Sequence, residues 1–300
     1  FCLLDQEYFK VSGSALKAMQ YFDPIRFADC LIEQRDDCHT FLIPPERSSS
    51  LIPWLGVERA KAFCAVSPYA SIQSDLDGRD SNYWQMLLWD HQNRQLIGGQ
   101  RLLFATSAVQ LTERHSYLEH CYPGLAQRLL QEDESYAEVG RTFVAPQYQC
   151  GNWLKELIRG FFRIPEAKGI NLVLGLVSFN HLRLKPVAVD LFIAALESGL
   201  FRGNIQLPPA RFPYNYCHGE RQNLNWDGHR LLPLQIQLNM VDPAFKLPPV
   251  LRPYRALCSV KYEGATVAKT YNNIIQLLFS GRPSLIAGQQ RRRLGAYPGL

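Results

Sequence analysis

Residues 135–198, SYAEVGRTFVAPQYQCGNWLKELIRGFFRIPEAKGINLVLGLVSFNHLRLKPVAVDLFIAALES, carry the pattern that decides the fold. Residues 135–144 read as a strand ended by Pro146, and residues 152–162 as a helix with Trp153, Leu157, Ile158 and Phe161 at helical spacing. Residues 170–179 (INLVLGLVSF) are a continuous apolar run of the kind a strand buried on both faces needs, and residues 185–198 read as a second helix. Strand, helix, strand, helix in one stretch predicts an α/β fold, a mixed central β-sheet with crossover connections and flanking helices.

Working outward, residues 83–90 (YWQMLLWD) and 95–104 (QLIGGQRLLF) read as a β-hairpin around the turn 91–94, with Gly98 and Gly99 marking a bulge or a close backbone approach. A helical stretch spans 115–131. Residues 1–50, with a helix candidate at 15–22 and a loop at 44–50, read as an N-terminal helical cover, and 51–201 as the core. Residues 202–300 read as a proline-rich arm and C-terminal extension completing the domain, because eight prolines from Pro208 to Pro253 break regular structure.

Three hundred residues with 47% hydrophobic and 20% charged side chains describe a folded chain able to bury its core without disulfides, not a disordered one. The net charge of +5 permits an acidic partner, and the absence of an aromatic-basic stripe argues against nucleic acid. Eight scattered cysteines, with no CxxC pair and no zinc-finger spacing, read as reduced, mostly core thiols of a cytoplasmic protein. The longest apolar runs fall short of the roughly 18 residues of a membrane span. Phe1 reads as a processed or trimmed start, which leaves a removed signal peptide open.

No phosphate loop, dinucleotide fingerprint, HExxH or GxSxG is present, and the seven histidines show no metal-ligand spacing, so no metal is expected. The informative residues are charges inside apolar strands: Arg101 in 99–103 (GQRLL), and Glu138 and Arg141 in 138–141 (EVGR). Such a carboxylate near an arginine is either a structural ion pair or an active-site base held in place. Strand alternation puts Glu138 and Arg141 on opposite faces unless a bulge intervenes. Asp75, Asp77 and Asp80 in 74–80 (SDLDGRD) are either a polar loop or an acidic patch for a cationic amine.

Residues 76–90, 97–103, 137–148 and 172–179 together resemble the hemolysin-like branch of the GNAT fold, which includes ornithine lipid N-acyltransferases and N-acyl amino acid synthases, and are similar to acyl-homoserine-lactone synthases. The matching positions are Arg59 with Phe63, Asp77 with Asp80, Arg101 before Leu102-Leu103, Glu138 with Arg141, and 248–254 (PPVLRPY). The resemblance covers roughly 55–260. Two positions depart from it: Gln85 stands where relatives carry a histidine, and 149–153 (QCGNW) has one glycine where a coenzyme A pyrophosphate loop has more.

The resemblance implies a GNAT-like N-acyltransferase that moves a fatty acyl group, with or without a 3-hydroxyl, from an acyl carrier protein or coenzyme A thioester to the amine of an amino acid or a derived acceptor. No cofactor would be permanently bound. Glu138 would be the base, with Ser178 contacting the leaving thiolate or the pantetheine. Arg59, Phe63, Asp77, Asp80, Arg101 and Arg141 would bind the acceptor or hold one another. Backbone N–H groups at Thr142, Phe143 and Val144 would take the oxyanion, and Gln149, Gly151 and Asn152 the donor's phosphopantetheine, where the single glycine and Trp153 favour acyl carrier protein. Phe143, Phe179 and the helices at 152–162 and 187–196 would line an acyl tunnel. Arg282 and Arg291–Arg293 would attract the acidic carrier or an anionic membrane. Two other readings stay open, a homoserine-lactone-type signal synthase using S-adenosylmethionine and a catalytically silent module that binds acyl carrier protein or lipid.

Overall fold

Eight strands form one sheet: β1 (Leu31–Arg35), β2 (Cys38–Ile43), β3 (Trp84–Asp90), β4 (Gln95–Ala105), β5 (Tyr136–Val144), β6 (Leu172–Phe179), β7 (Val260–Ala268) and β8 (Ile274–Gly281). The computed structural model describes residues 21–36, 38–66, 73–106, 111–198, 202–217, 224, 226, 230–257, 259–269 and 272–300. Strand order is β1-β2-β3-β4-β5-β6-β8-β7. Neighbours pair antiparallel except β5 and β6, which run parallel and therefore need the crossover that the helix between them supplies.

The helices are α1 (Pro45–Ser48), α2 (Ile52–Val66), α3 (Tyr117–Cys121), α4 (Leu125–Gln131), α5 (Trp153–Ala167), α6 (Pro186–Leu196), α7 (Leu231–Val241), α8 (Leu251–Leu257) and α9 (Gly288–Leu294). Alternation along the strands divides the core between two faces. Ala137, Val139 and Val173 pack with Leu157, Ile158 and Phe161 of α5. Tyr136, Leu172 and Leu174 pack on the other face with Leu118 of α3 and Leu125 and Leu129 of α4. A further cluster joins Phe41, Leu87, Trp89 and Phe143 to Trp54 and Leu55 of α2.

The expected hairpin and the strand–helix–strand–helix run are present, with α5 continuing past 162 to Ala167. The stretch 115–131 is two helices, because Gly124 at φ +87° turns the chain between them. The first fifty residues differ from a helical cover. Residues 31–43 form a hairpin that extends the sheet, with every residue of β2 buried against β3. Polar Glu33, His39 and Thr40 inside these strands hid the alternation that would have revealed it. The helix candidate at 15–22 lies outside the described residues except for Tyr21 and Phe22, which are not helical.

Residues 202–300 contribute β7 and β8 to the same sheet, and 202–217 runs beside β7 through bridges Arg202–Tyr262 and Pro213–Thr266. At the opposite edge the Gly299 N–H donates to Ile32 O of β1 at 2.9 Å. Nearby, Arg159 of α5 donates to both oxygens of buried Glu33, at 2.5 and 2.6 Å, and lies 4.0 Å over the Tyr297 ring. The described cysteines Cys30, Cys38, Cys64, Cys121, Cys150 and Cys217 are free thiols; Cys150 and Cys217 are exposed.

Gly98 meets the expectation of a close approach: a Cβ there would sit 2.4 Å from the Phe143 carbonyl oxygen of the neighbouring strand. Because the obstacle is backbone, Gly98→Ala is expected to cost about 1–3 kcal/mol. The check is a lower urea midpoint with an unchanged far-ultraviolet circular dichroism spectrum.

Candidate active site

The parallel pairing of β5 with β6 runs from Tyr136–Leu172 to Val139–Gly175 and stops. Beyond it β5 continues to Val144 beside β4, and β6 continues to Phe179 beside β8. A cavity of about 1470 Å³ occupies the resulting gap. Gly140, Arg141 and Thr142 of β5 and residues 175–179 of β6 line its two sides.

The bulge that the sequence left open is present. Arg101 pairs with Gly140 and Gly99 with Phe143, so Arg141 and Thr142 face one residue of β4, and Arg141 takes φ +51°. The extra residue turns Arg141 onto the face that carries Glu138. There, three arginines meet three aspartates. Arg59 donates to Asp80 at 2.9 Å, and Arg101 reaches Asp80 at 2.8 Å and Asp77 at 2.9 Å. Arg141 lies 3.1 Å from Asp75 and 3.3 Å from Asp77. Arg59, Arg101 and Asp80 are almost fully buried, whereas the Arg141 side chain is 25% and Asp77 16% exposed. Burial alone would raise the Asp80 carboxyl, but Arg59 and Arg101 outweigh it and hold it well below the usual carboxylate range. Asp77 is lowered in the same way by Arg101 and Arg141.

Glu138 stands beside this network with both oxygens engaged. Tyr83 donates its hydroxyl to Oε1 at 2.6 Å, Ser116 to Oε2 at 2.6 Å, and the Leu118 N–H to Oε1 at 3.3 Å. Ser116 in turn caps α3 by accepting from the Glu119 N–H. Burial pushes Glu138 above the ordinary glutamate value against the hydrogen bonds from Ser116 and Tyr83.

Of the residues singled out from the sequence, Phe63, Asp77, Asp80, Arg101, Glu138 and Arg141 line the cavity, as do Thr142 and Ser178. Arg59 stands behind them and acts through Asp80. Phe143 is turned into the core cluster around α2, and it and Val144 pair with Gly99 and Gly98 of β4. They do not line the cavity, and neither do Gln149, Gly151 or Asn152. The Gln149 amide donates to the carbonyls of Ala62 and Val144, and a Cβ on Gly151 would lie 2.8 Å from the Trp153 indole. Leu154, Ile158 and Phe161 of α5 form an apolar wall as expected, but no residue of α6 does; Phe192 of α6 packs against Phe179 and Phe245 instead. Gln85 is buried and donates to the Asp80 and Tyr83 carbonyls.

Sequence reasoning passed over Tyr83, Ser116, Tyr117 and His120. Tyr117 donates to Gln276 at 2.9 Å, lies under Arg141 and stacks on His120; burial pushes its phenol up to about 12. Burial, with Arg79 and Arg211, holds His120 below the ordinary histidine value, so it is neutral at pH 7. Among the described residues no group of three His, Cys, Asp or Glu side chains is placed to hold a metal.

Asp80→Asn would leave Arg59 and Arg101 buried against a neutral partner, and is expected to cost about 3–5 kcal/mol at pH 7. Since Asp77 and Asp80 are depressed in the folded state, their stabilisation is complete above the unfolded value of about 3.9 and is lost as pH falls through the folded values. Glu138, being raised, contributes with the opposite sign. Urea midpoints from pH 7 to pH 3 should fall steeply at the acid end for the native chain and less for Asp80→Asn.

Residues 59–159 match the family described as Acetyltransferase (GNAT) domain. Solved structures similar to the chain include a CoA-dependent acyl-homoserine lactone synthase, BjaI, with SAM and isopentyl-CoA (13% identity, 84% of this chain and 85% of that one, TM-score 0.42). Another is the CoA-dependent acyl-homoserine lactone synthase MesI (13% identity, 86% and 97%, TM-score 0.41). A third is FeeM, an N-acyl amino acid synthase from uncultured soil microbes (7% identity, 68% and 68%, TM-score 0.34). No curated protein matches the sequence. The segment 59–159, which matches the GNAT acetyltransferase domain, is the one that carries Arg59, Asp77, Asp80, Arg101, Glu138 and Arg141 of the charged pocket and the β5 side of the split sheet.

Proposed function

We propose that the chain transfers a fatty acyl group from a pantetheine thioester, carried by an acyl carrier protein or coenzyme A, to the amine of an amino acid or a derived acceptor. One observation carries the reading: the cavity threads the sheet at the β5–β6 split, so a charged half on the α3 face joins an apolar half on the α5 face. The charged half holds Asp77, Arg141, Glu138 and His120. The apolar half is walled by Ile158, Phe161, Val177, Leu247, Tyr254 and Phe279. A two-carbon acyl group would leave most of that wall unfilled, whereas an aliphatic chain buries it at roughly 0.8 kcal/mol per methylene.

In this reading Arg141, the partly exposed arginine, takes the acceptor's carboxylate, and Asp77 faces a cationic end. Arg59, Arg101 and Asp80 position them. Glu138 removes the ammonium proton, directly or through a water, and the freed amine attacks the thioester carbonyl. The bulged backbone at Thr142 is the oxyanion contact, since Phe143 and Val144 are committed to β4. As the C–S bond breaks, the proton still carried by the attacking nitrogen passes through the hydroxyl of Ser178, on the facing wall, to the departing thiolate, which leaves Ser178 neutral and the amide formed. The Trp153 indole over Gly151 leaves little room for a pyrophosphate and favours the single phosphate of a carrier protein as donor. The setting is the cytoplasm, with peripheral contact to an anionic membrane.

The test is thiol release from long-chain acyl carrier protein and from the matching acyl-coenzyme A, with ornithine, lysine, glycine and tyrosine as acceptors and products weighed by mass spectrometry. Amine-dependent release with an amide product is expected; release without amide would overturn the proposal. Glu138→Gln should lower kcat about 10²–10⁴-fold with the fold retained, while His120→Gln should stay within a few-fold. Because burial raises Glu138, the native kcat/KM should fall with decreasing pH at values above the ordinary glutamate range of about 4.3. Glu138→Gln should lose that limb; its transfer to His120→Gln instead would make His120 the base.

A further inference from the structure

Helix α7 contains no charged residue and is apolar on two opposite sides. At 100° per residue, Leu234 and Leu238 share one side and are fully buried. Leu232, Ile236 and Met240 form a stripe on the other and are 68%, 54% and 82% exposed. An exposed apolar stripe of this kind belongs against a second apolar phase, and among the described residues nothing buries it.

Three connections tie the helix to the cavity. Gln235 donates to Phe245 O at 2.8 Å and accepts from the Leu247 N–H at 2.9 Å. Asn239 donates to Pro243 O and Phe245 O. These polar side chains hold the loop whose Ala244, Lys246 and Leu247 line the cavity. At the C-terminal end of α7, Lys185 donates through Nζ to Val241 O, and its N–H to Asp242, which brings Arg183 and Leu184, also lining residues, alongside.

Among the described residues that flank α7 or bond to it, the exposed charges have one sign. Across 179–191 and 230–257 the acidic residues are Asp190 and Asp242, both buried, whereas Arg183, Lys185, Arg230, Lys246 and Arg252 are exposed. In the basic stretch near the C-terminus, Arg282 is paired with Glu134, and Arg291 with Glu166.

We propose that the outer face of α7 is the docking surface for an anionic phospholipid bilayer, with Leu232, Ile236 and Met240 entering the headgroup boundary and the surrounding lysine and arginine side chains meeting lipid phosphates. Docked this way, the loop at 243–247 sets the apolar half of the cavity beside the membrane, so an acylated amine passes into lipid without crossing water. That second step rests on the fatty-acyl reading above; the docking itself does not. No helix of the described residues is long and apolar enough to cross a bilayer, and the attachment proposed is peripheral.

The experiment is co-sedimentation of the full chain with vesicles of phosphatidylcholine alone and of phosphatidylcholine mixed with phosphatidylglycerol. Binding to the mixed vesicles, weakened by salt, is expected. The L232S/I236S/M240S variant changes only exposed positions and should lose about tenfold or more of that binding while keeping its circular dichroism spectrum and its thiol release from soluble donors. Folded native chain that fails to sediment, or a variant that binds as well as the native chain, would overturn the proposal. So would a native dimer that the variant converts to monomer without vesicle binding, since the stripe would then belong to a second copy. Sedimentation requires no turnover, so an inactive chain that still docks would remove the acyl-transfer reading and leave the surface in place.

Discussion

Four residue pairs, from Tyr136–Leu172 to Val139–Gly175, hold the two halves of the sheet together, and the site exists because the pairing ends there. Backbone N–H and C=O groups are obligatory hydrogen-bonding groups, so two central strands that part leave polar backbone facing one another across a gap. In a core this would be a defect. Here the gap is the passage between the charged and apolar halves of the cavity, and an extended, amide-bearing ligand can satisfy what the strands no longer give each other. The bulge at Arg141 belongs to the same arrangement: it brings a strand residue to the face with Glu138 at the level where the strands separate.

The charged half shows why so many ionisable groups can be buried together. Three guanidinium groups and three carboxylates balance, and the most deeply buried members, Arg59, Arg101 and Asp80, contact one another directly. Buried pairs of this kind are weak sources of stability against apolar replacement, yet removing one member is costly. The network is better understood as a fixed electrostatic floor: it sets Arg141 and Asp77 at the cavity surface with little freedom to reorganise when charge appears in the pocket.

Much of this was legible in the sequence because it rests on local periodicity. The apolar run at 170–179, the helical spacing of Trp153, Leu157, Ile158 and Phe161, and the paired runs at 83–90 and 95–104 each report their own element. Glu138 and Arg101 stood out as charges in apolar strands, and the condition for Arg141 to join them could be stated in advance. Contacts between distant segments were not legible. Tyr83 and Ser116 lie 55 and 22 residues from Glu138 in the chain, and nothing in either neighbourhood marks them as its hydrogen-bond donors. Phe143 was misplaced because the bulge shifts the register after Gly140. The hairpin at 31–43 was missed because its buried positions include Glu33, His39 and Thr40, whose burial depends on partners such as Arg159 supplied much later.

Both edges of the sheet are covered by segments remote in sequence, β7 by 202–217 and β1 by the backbone around Gly299. An uncovered strand edge is a template for pairing with other chains. Until residues near 299 have been made and have reached Ile32, the first strands of the sheet offer such an edge to their neighbours. Contacts of this sequence separation form late and fold slowly. The nascent chain is therefore open to association until these residues are made, and the strip of backbone around Gly299 acts as the closure that makes the folded sheet safe in company.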